Sequence, residues 1–130
     1  MKISPFQQGT VRGFLHEPET PSGKALVLTH GAGANCETPL LTTLAAVFCQ
    51  TGFLVLRCDL PFRQKRRSGP PMPAAAAEDR SGLREAVAAV RQMAPGSVFL
   101  GGHSYGGRQS TLLAADEPAV ADALLLLSYP

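Results

Sequence analysis

Four short, uniformly apolar runs set the limits on this chain: ALVL at 25–28, FLVL at 53–56, VFL at 98–100 and ALLLL at 123–127. None alternates polar and apolar residues, as a strand with one wet face would, and none is long enough for a buried helix. They read as strands covered on both faces. The segments between them carry helical spacing, with Leu41, Leu44 and Phe48 on one face of the first and Leu83, Val87 and Val90 on one face of the second. A third helix is predicted over 105–115, ending before Pro118, which has no N–H to continue it. Strand and helix in alternation imply parallel strands joined by right-handed crossovers. Ahead of them, residues 10–16 (TVRGFLH) predict a weaker, partly exposed antiparallel edge strand, followed by the turn-rich EPETPSGK. The expected class is α/β, a mostly parallel sheet with flanking helices, forming a single domain over residues 1–130.

Composition narrows the partners. With 45% hydrophobic and 17% charged residues the chain has the makings of a core rather than a disordered tail. Twelve basic against ten acidic residues leave +2, too near neutral for nucleic acid or an anionic membrane to be the main partner. The N-terminal MKISPFQQGT has no apolar run of leader length, and no later stretch approaches a membrane span, so a soluble cytoplasmic protein is expected. Cys36, Cys49 and Cys58 are odd in number, lack C-x-x-C spacing and sit in or beside apolar segments. They predict small core residues rather than disulfides or metal ligands, and neither a metal nor a cofactor is expected.

The chemistry concentrates in GGHSYGGR at 101–108. Ser104 stands between Gly102 and Gly106, directly after a buried strand and directly before a helix. That context suits a turn too sharp for side chains at its flanks, which projects the serine hydroxyl above the sheet with a helix N-terminus behind it. A phosphate loop would share the glycine spacing from Gly102 to Gly107. Arg108 and Gln109 follow, however, where that loop needs Lys and then Ser or Thr. A dinucleotide-binding domain is the better rival, since HGAGAN offers Gly31 and Gly33 after one strand and Asp59 closes the next. Its third glycine position is Cys36, and it leaves GGHSYGGR without a purpose.

Together, LTHGAGAN and GGHSYGGR resemble the α/β-hydrolase fold family over nearly the whole chain. Within it the sequence is similar to small hydrolases of dienelactone-hydrolase type, such as the testis-expressed and NSL-complex hydrolase-like domains, with their Arg-rich segment after DLP and an elbow ending in Gly-Gly-Arg. The resemblance implies a serine hydrolase of ester or related acyl substrates, with Ser104 as nucleophile. The backbone N–H groups of Ala32 and Tyr105 would form the oxyanion hole. His30 would brace the loop with Gly31, and Gly102 and Gly106 would support the turn. It also implies a triad in the order Ser, acid, His.

No histidine follows Ser104. Asp116, Glu117 and Asp122 lie beyond a helix that carries the chain roughly 16 Å from the elbow, so they are expected at the opposite edge of the sheet. His103 adjoins the serine, but neighbouring side chains on a tight turn diverge. His30 is expected to be pinned in its loop, His16 to lie at the far edge, and Asp59 to bond with the loop it starts. The chain is therefore expected to be the N-terminal portion of such a domain, stopping after what the resemblance makes the family's sixth strand, with that last strand open to self-association. A non-catalytic hydrolase-like binding module is the alternative from another class. In the basic loop Arg63, Arg66 and Arg67, with Lys65, are candidates to border the pocket and favour an anionic acyl substrate or an acidic partner, against the plainer reading of a solvated charge run.

Overall fold

The computed structural model describes residues 1–130. In chain order the elements are β1 (Lys2–Gln8), β2 (Val11–Glu17), β3 (Ala25–Thr29), α1 (Pro39–Gln50), β4 (Leu54–Cys58), α2 (Pro61–Lys65), α3 (Ala76–Arg91), β5 (Val98–His103), α4 (Tyr105–Asp116) and β6 (Ala123–Leu127), with one 3₁₀ turn, Pro73–Ala75, leading into α3. They build one six-stranded sheet in the order β1-β2-β4-β3-β5-β6. β2 pairs antiparallel with both β1 and β4, whereas β3 pairs parallel with both β4 and β5, and β5 with β6.

Helices cover both faces, which is why the apolar runs do not alternate. In β3, Ala25 and Val27 join the larger core with Leu83, Ala86, Val87 and Val90 of α3 and Leu113 of α4. Leu26 and Leu28 point the other way, onto Leu41, Ala45 and Cys49 of α1. All three cysteines are free and buried.

Strand order decides against the dinucleotide-binding reading. In that fold the third parallel strand lies outside the second, whereas here β5 crosses back to the far side of β3 and the antiparallel β2 flanks β4. Three further expectations change. β2 is interior, because β1, whose Pro5 argues against a strand, forms the edge beyond it. β4 runs on past its apolar stretch through Arg57 to Cys58. The basic loop holds a one-turn helix, α2, begun by Pro61 at its first position. At the opposite edge β6 has one neighbour, and Leu126 is 40% exposed.

Arg57 can be buried because an imidazole, a carbonyl and a ring meet its guanidinium. Its Nε donates to His16 Nε2 at 2.8 Å and its Nη1 to Cys36 O at 3.0 Å, with its Cζ 4.6 Å from the centre of the Phe14 ring. A nitrogen that accepts from a guanidinium cannot carry a proton, so His16 is neutral with its proton on Nδ1, which has no partner. Burial first, and Arg57 second, lower its pKa from 6.5 to about 4. Glu37 and Asp59 supply the opposing charge around Arg57. Between those two values the unfolded chain binds a proton that the native state refuses, so the stability is complete above pH 6.5 and is lost as pH falls toward 4. His16→Gln keeps an acceptor for Arg57 and removes the titration. Urea unfolding across this window should show the parent losing on the order of 3 kcal/mol that the variant does not lose.

Candidate active site

The chain leaves β3 for β4 on one side and returns to β5 on the other, so the carboxyl ends of β3 and β5 form the point where open α/β sheets place their ligands. Ser104 follows β5 at that point with φ 50° and ψ −110°. A non-glycine residue in this region is strained by about 1–3 kcal/mol and persists only where its surroundings fix it. They do so here: Ser104 N–H donates to Leu127 O at 2.8 Å, and its carbonyl accepts from Arg108 N at 2.9 Å. The flanking glycines have no room for a side chain. A Cβ on Gly106 would sit 2.5 Å from His30 O, and one on Gly102 would sit 2.8 Å from the Gly106 carbonyl carbon.

Opposite the elbow lies the loop after β3, residues 30–38. His30 is wholly buried; its Nδ1–H donates to Gly31 O at 2.8 Å and its Nε2 accepts from Leu60 N at 3.0 Å. With one nitrogen accepting, the ring is neutral. Burial pushes its pKa down, and the 3.9 Å approach to Asp59 is therefore no ion pair. Gly31 O also accepts from Ala34 N at 3.2 Å. The peptide is planar and trans, so fixing that carbonyl on the His30 ring turns the Ala32 N–H the other way. No acceptor in the protein takes it. Gly31 packs on the serine itself: a Cβ there would be 3.7 Å from Ser104 Cβ and 3.3 Å from His103 Nδ1. Across the site, Tyr105 N–H opens α4, where the first amides lack an intrahelical acceptor.

Asp79 escaped the sequence reading. Wholly buried in α3, it accepts from Tyr105 Oη on Oδ2 at 2.7 Å and from Phe62 N on Oδ1 at 3.0 Å. It thereby joins the elbow helix to α2. Desolvation holds its pKa above the usual carboxylate value. One signal was available: Asp79 falls four residues before Leu83 and eight before Val87, on the apolar face.

Arg63 does not face a substrate. It is 6% exposed, and its guanidinium donates to four backbone carbonyls: Ala34 at 2.6 Å, and Ala32, Arg66 and Gly69 at 2.9 Å each. A charge run read as a loop rim thus turns one member inward. Arg66 and Arg67 remain exposed, and Lys65 pairs with Glu78. Asp59 also departs from expectation, its carboxylate accepting from Cys36 N at 2.8 Å in the loop after β3 rather than from the loop it starts. The remaining groups lie apart. His103 makes no hydrogen bond to Ser104, His16 is paired with Val55 early in β4, and Asp122 caps Val98 N–H at the start of β5. Glu117 is held by Arg84.

A profile of the alpha/beta hydrolase domain matches residues 22–130. The chain belongs to the alpha/beta hydrolase family. Solved structures agree in fold. An alpha-beta serine hydrolase homologue from Coxiella burnetii superposes with TM-score 0.76 at 17% identity, over 99% of this chain and 63% of that one. An alpha/beta serine hydrolase without lid from Xanthomonas campestris gives 0.78 at 18%, over 99% and 61%. A dienelactone hydrolase from Anabaena variabilis gives 0.73 at 20%, over 97% and 63%. The chain thus spans less than two thirds of the length of each of these proteins. No curated protein matches it by sequence.

In this alpha/beta hydrolase domain the elbow depends on backbone approach more than on the serine side chain. Gly106→Val should therefore lower stability by more than about 3 kcal/mol, through its clash with His30 O. Ser104→Ala should change it by less than about 1 kcal/mol. Thermal unfolding of the two variants checks the difference, and equal melting temperatures would contradict the elbow.

Proposed function

We propose that the chain is the nucleophile-bearing part of a serine hydrolase acting on ester or related acyl substrates. The observation that carries this reading is Ser104 held at φ 50° at the start of α4, with Gly31 of the loop after β3 packed against it and the neighbouring Ala32 N–H without a partner. In the reaction Ser104 Oγ bonds to the carbonyl carbon, the C=O π pair moves onto oxygen, and the N–H groups of Ala32 and Tyr105 donate to that oxyanion. Collapse of the intermediate expels the alcohol and leaves an acyl serine, which water then hydrolyses. The hydroxyl proton needs a base. His30 has both nitrogens engaged, His16 is bonded to Arg57, and His103 makes no bond to Ser104. This last point favours the second reading, a hydrolase-like binding module.

Free imidazole separates the two readings. On the 130-residue chain alone, turnover of p-nitrophenyl acetate and labelling by a fluorophosphonate probe should be slow, since loss of a triad member typically costs about 10³-fold or more. Added imidazole takes the hydroxyl proton as the Ser104 O–P bond forms and fluoride leaves. Labelling should then rise and map to Ser104, and it should vanish in Ser104→Ala. Equal labelling of parent and variant would leave the binding-module reading.

For the substrate we propose an anionic acyl group. Arg63 holds the Ala32 and Arg66 carbonyls at once, so the exposed Arg66 and Arg67 flank the oxyanion loop. Replacing both with Ala, with imidazole present, should slow the reaction with a carboxylate-bearing ester more than that with a neutral ester, and added salt should shrink the gap. Equal loss on both esters would reject that preference.

A further inference from the structure

Arg63 is a buried cation without an anion. No ion pair of the protein includes it. Asp59, which with Arg63 acts through space on His30, gives its Oδ1 to Cys36 N–H. What compensates the guanidinium is carbonyl dipoles, two of them, Ala32 and Ala34, from the loop that carries the unpartnered Ala32 N–H. Burying a charge against neutral dipoles alone is a costly way to hold a loop, since a neutral donor would satisfy the same carbonyls. The position offers a further use for that charge, because it bonds the carbonyl of Ala32, the residue whose N–H would receive an oxyanion.

Resting on the reading of Ser104 as nucleophile, we infer that Arg63 is a positioning residue for the oxyanion site, fixing the loop after β3 and supplying positive potential to the charge that forms there. The fork geometry suits the first task. Four donated bonds from one planar group tie residues 32 and 34 to residues 66 and 69, so the loop cannot rotate its peptides independently. The neighbouring Phe62 ring reaches both halves of the site, with its centre 5.6 Å from that of His30 and 5.6 Å from that of Tyr105. The second task follows from burial. A charge that is already desolvated and fixed needs no reorganisation when an anion develops near it.

The test compares the parent chain with Arg63→Gln and Arg63→Lys, using a fluorophosphonate probe with imidazole as base. At saturating probe the labelling rate of Ser104 should fall by at least ~10-fold in Arg63→Gln, with the half-saturating probe concentration unchanged. Arg63→Lys keeps the charge but loses the fork, and should fall between. A folded variant that labels at the parent rate would overturn the inference, as would a loss that only tracks the unfolded fraction measured by circular dichroism. If the glutamine variant does not fold, the lysine variant is judged by the same criteria. A measurement without substitution stands beside these: in the parent, the Arg63 Nε–H resonance should shift when Ser104 is phosphonylated, and an unmoved resonance counts against the coupling. Labelling that persists in Ser104→Ala would instead reject the nucleophile reading, whatever Arg63 does.

Discussion

The site depends on one close approach, that of α4 to the end of β3. Gly106 rests on the His30 carbonyl at a distance that admits no Cβ, and Gly102 rests on Gly106. This contact brings the elbow against the loop after β3, so that residues more than 70 positions apart pack together. It also bears the strain at Ser104. A backbone at φ 50° relaxes unless its neighbours are fixed, and here β6 holds the serine amide while α4 holds its carbonyl.

Around that contact lies a ring of buried polar groups, each with its bonding capacity almost fully used. His30 fixes the peptide before Ala32, Asp79 fixes Tyr105 and α2, and Arg63 fixes the carbonyls of the loop. Breaking such a network exposes unsatisfied partners, which costs more than forming it gains. The same economy explains Arg57 and His16 on the α1 face, where a strand interior accommodates a guanidinium because an imidazole accepts from it. In each case a chargeable side chain inside the domain serves backbone geometry first.

Much of the architecture was legible in the sequence. Uniform apolar runs mark strands covered on both faces, and the helical spacing of Leu83, Val87 and Val90 matches α3. β1 was not legible, because Pro5 and a largely exposed pattern leave an edge strand without an apolar signature. The end of β4 was hidden by Arg57, whose burial rests on partners 21 and 41 residues away. Asp79 lies in the first turn of a helix, where an acid is common, and only its register with Leu83 marks it as inward-facing.

By itself the sequence determined the α/β class and the elbow, because both are written in local spacing: apolar runs of strand length, helical periodicity, and glycines around a serine after a strand. Tertiary structure alone decided where the charges go. Arg63 and Arg66 lie three residues apart in one basic stretch, yet one is buried against four carbonyls and the other is exposed. The physical reason is that a side chain's charge is a local property, whereas its desolvation and its partners are set by chain segments brought in from elsewhere.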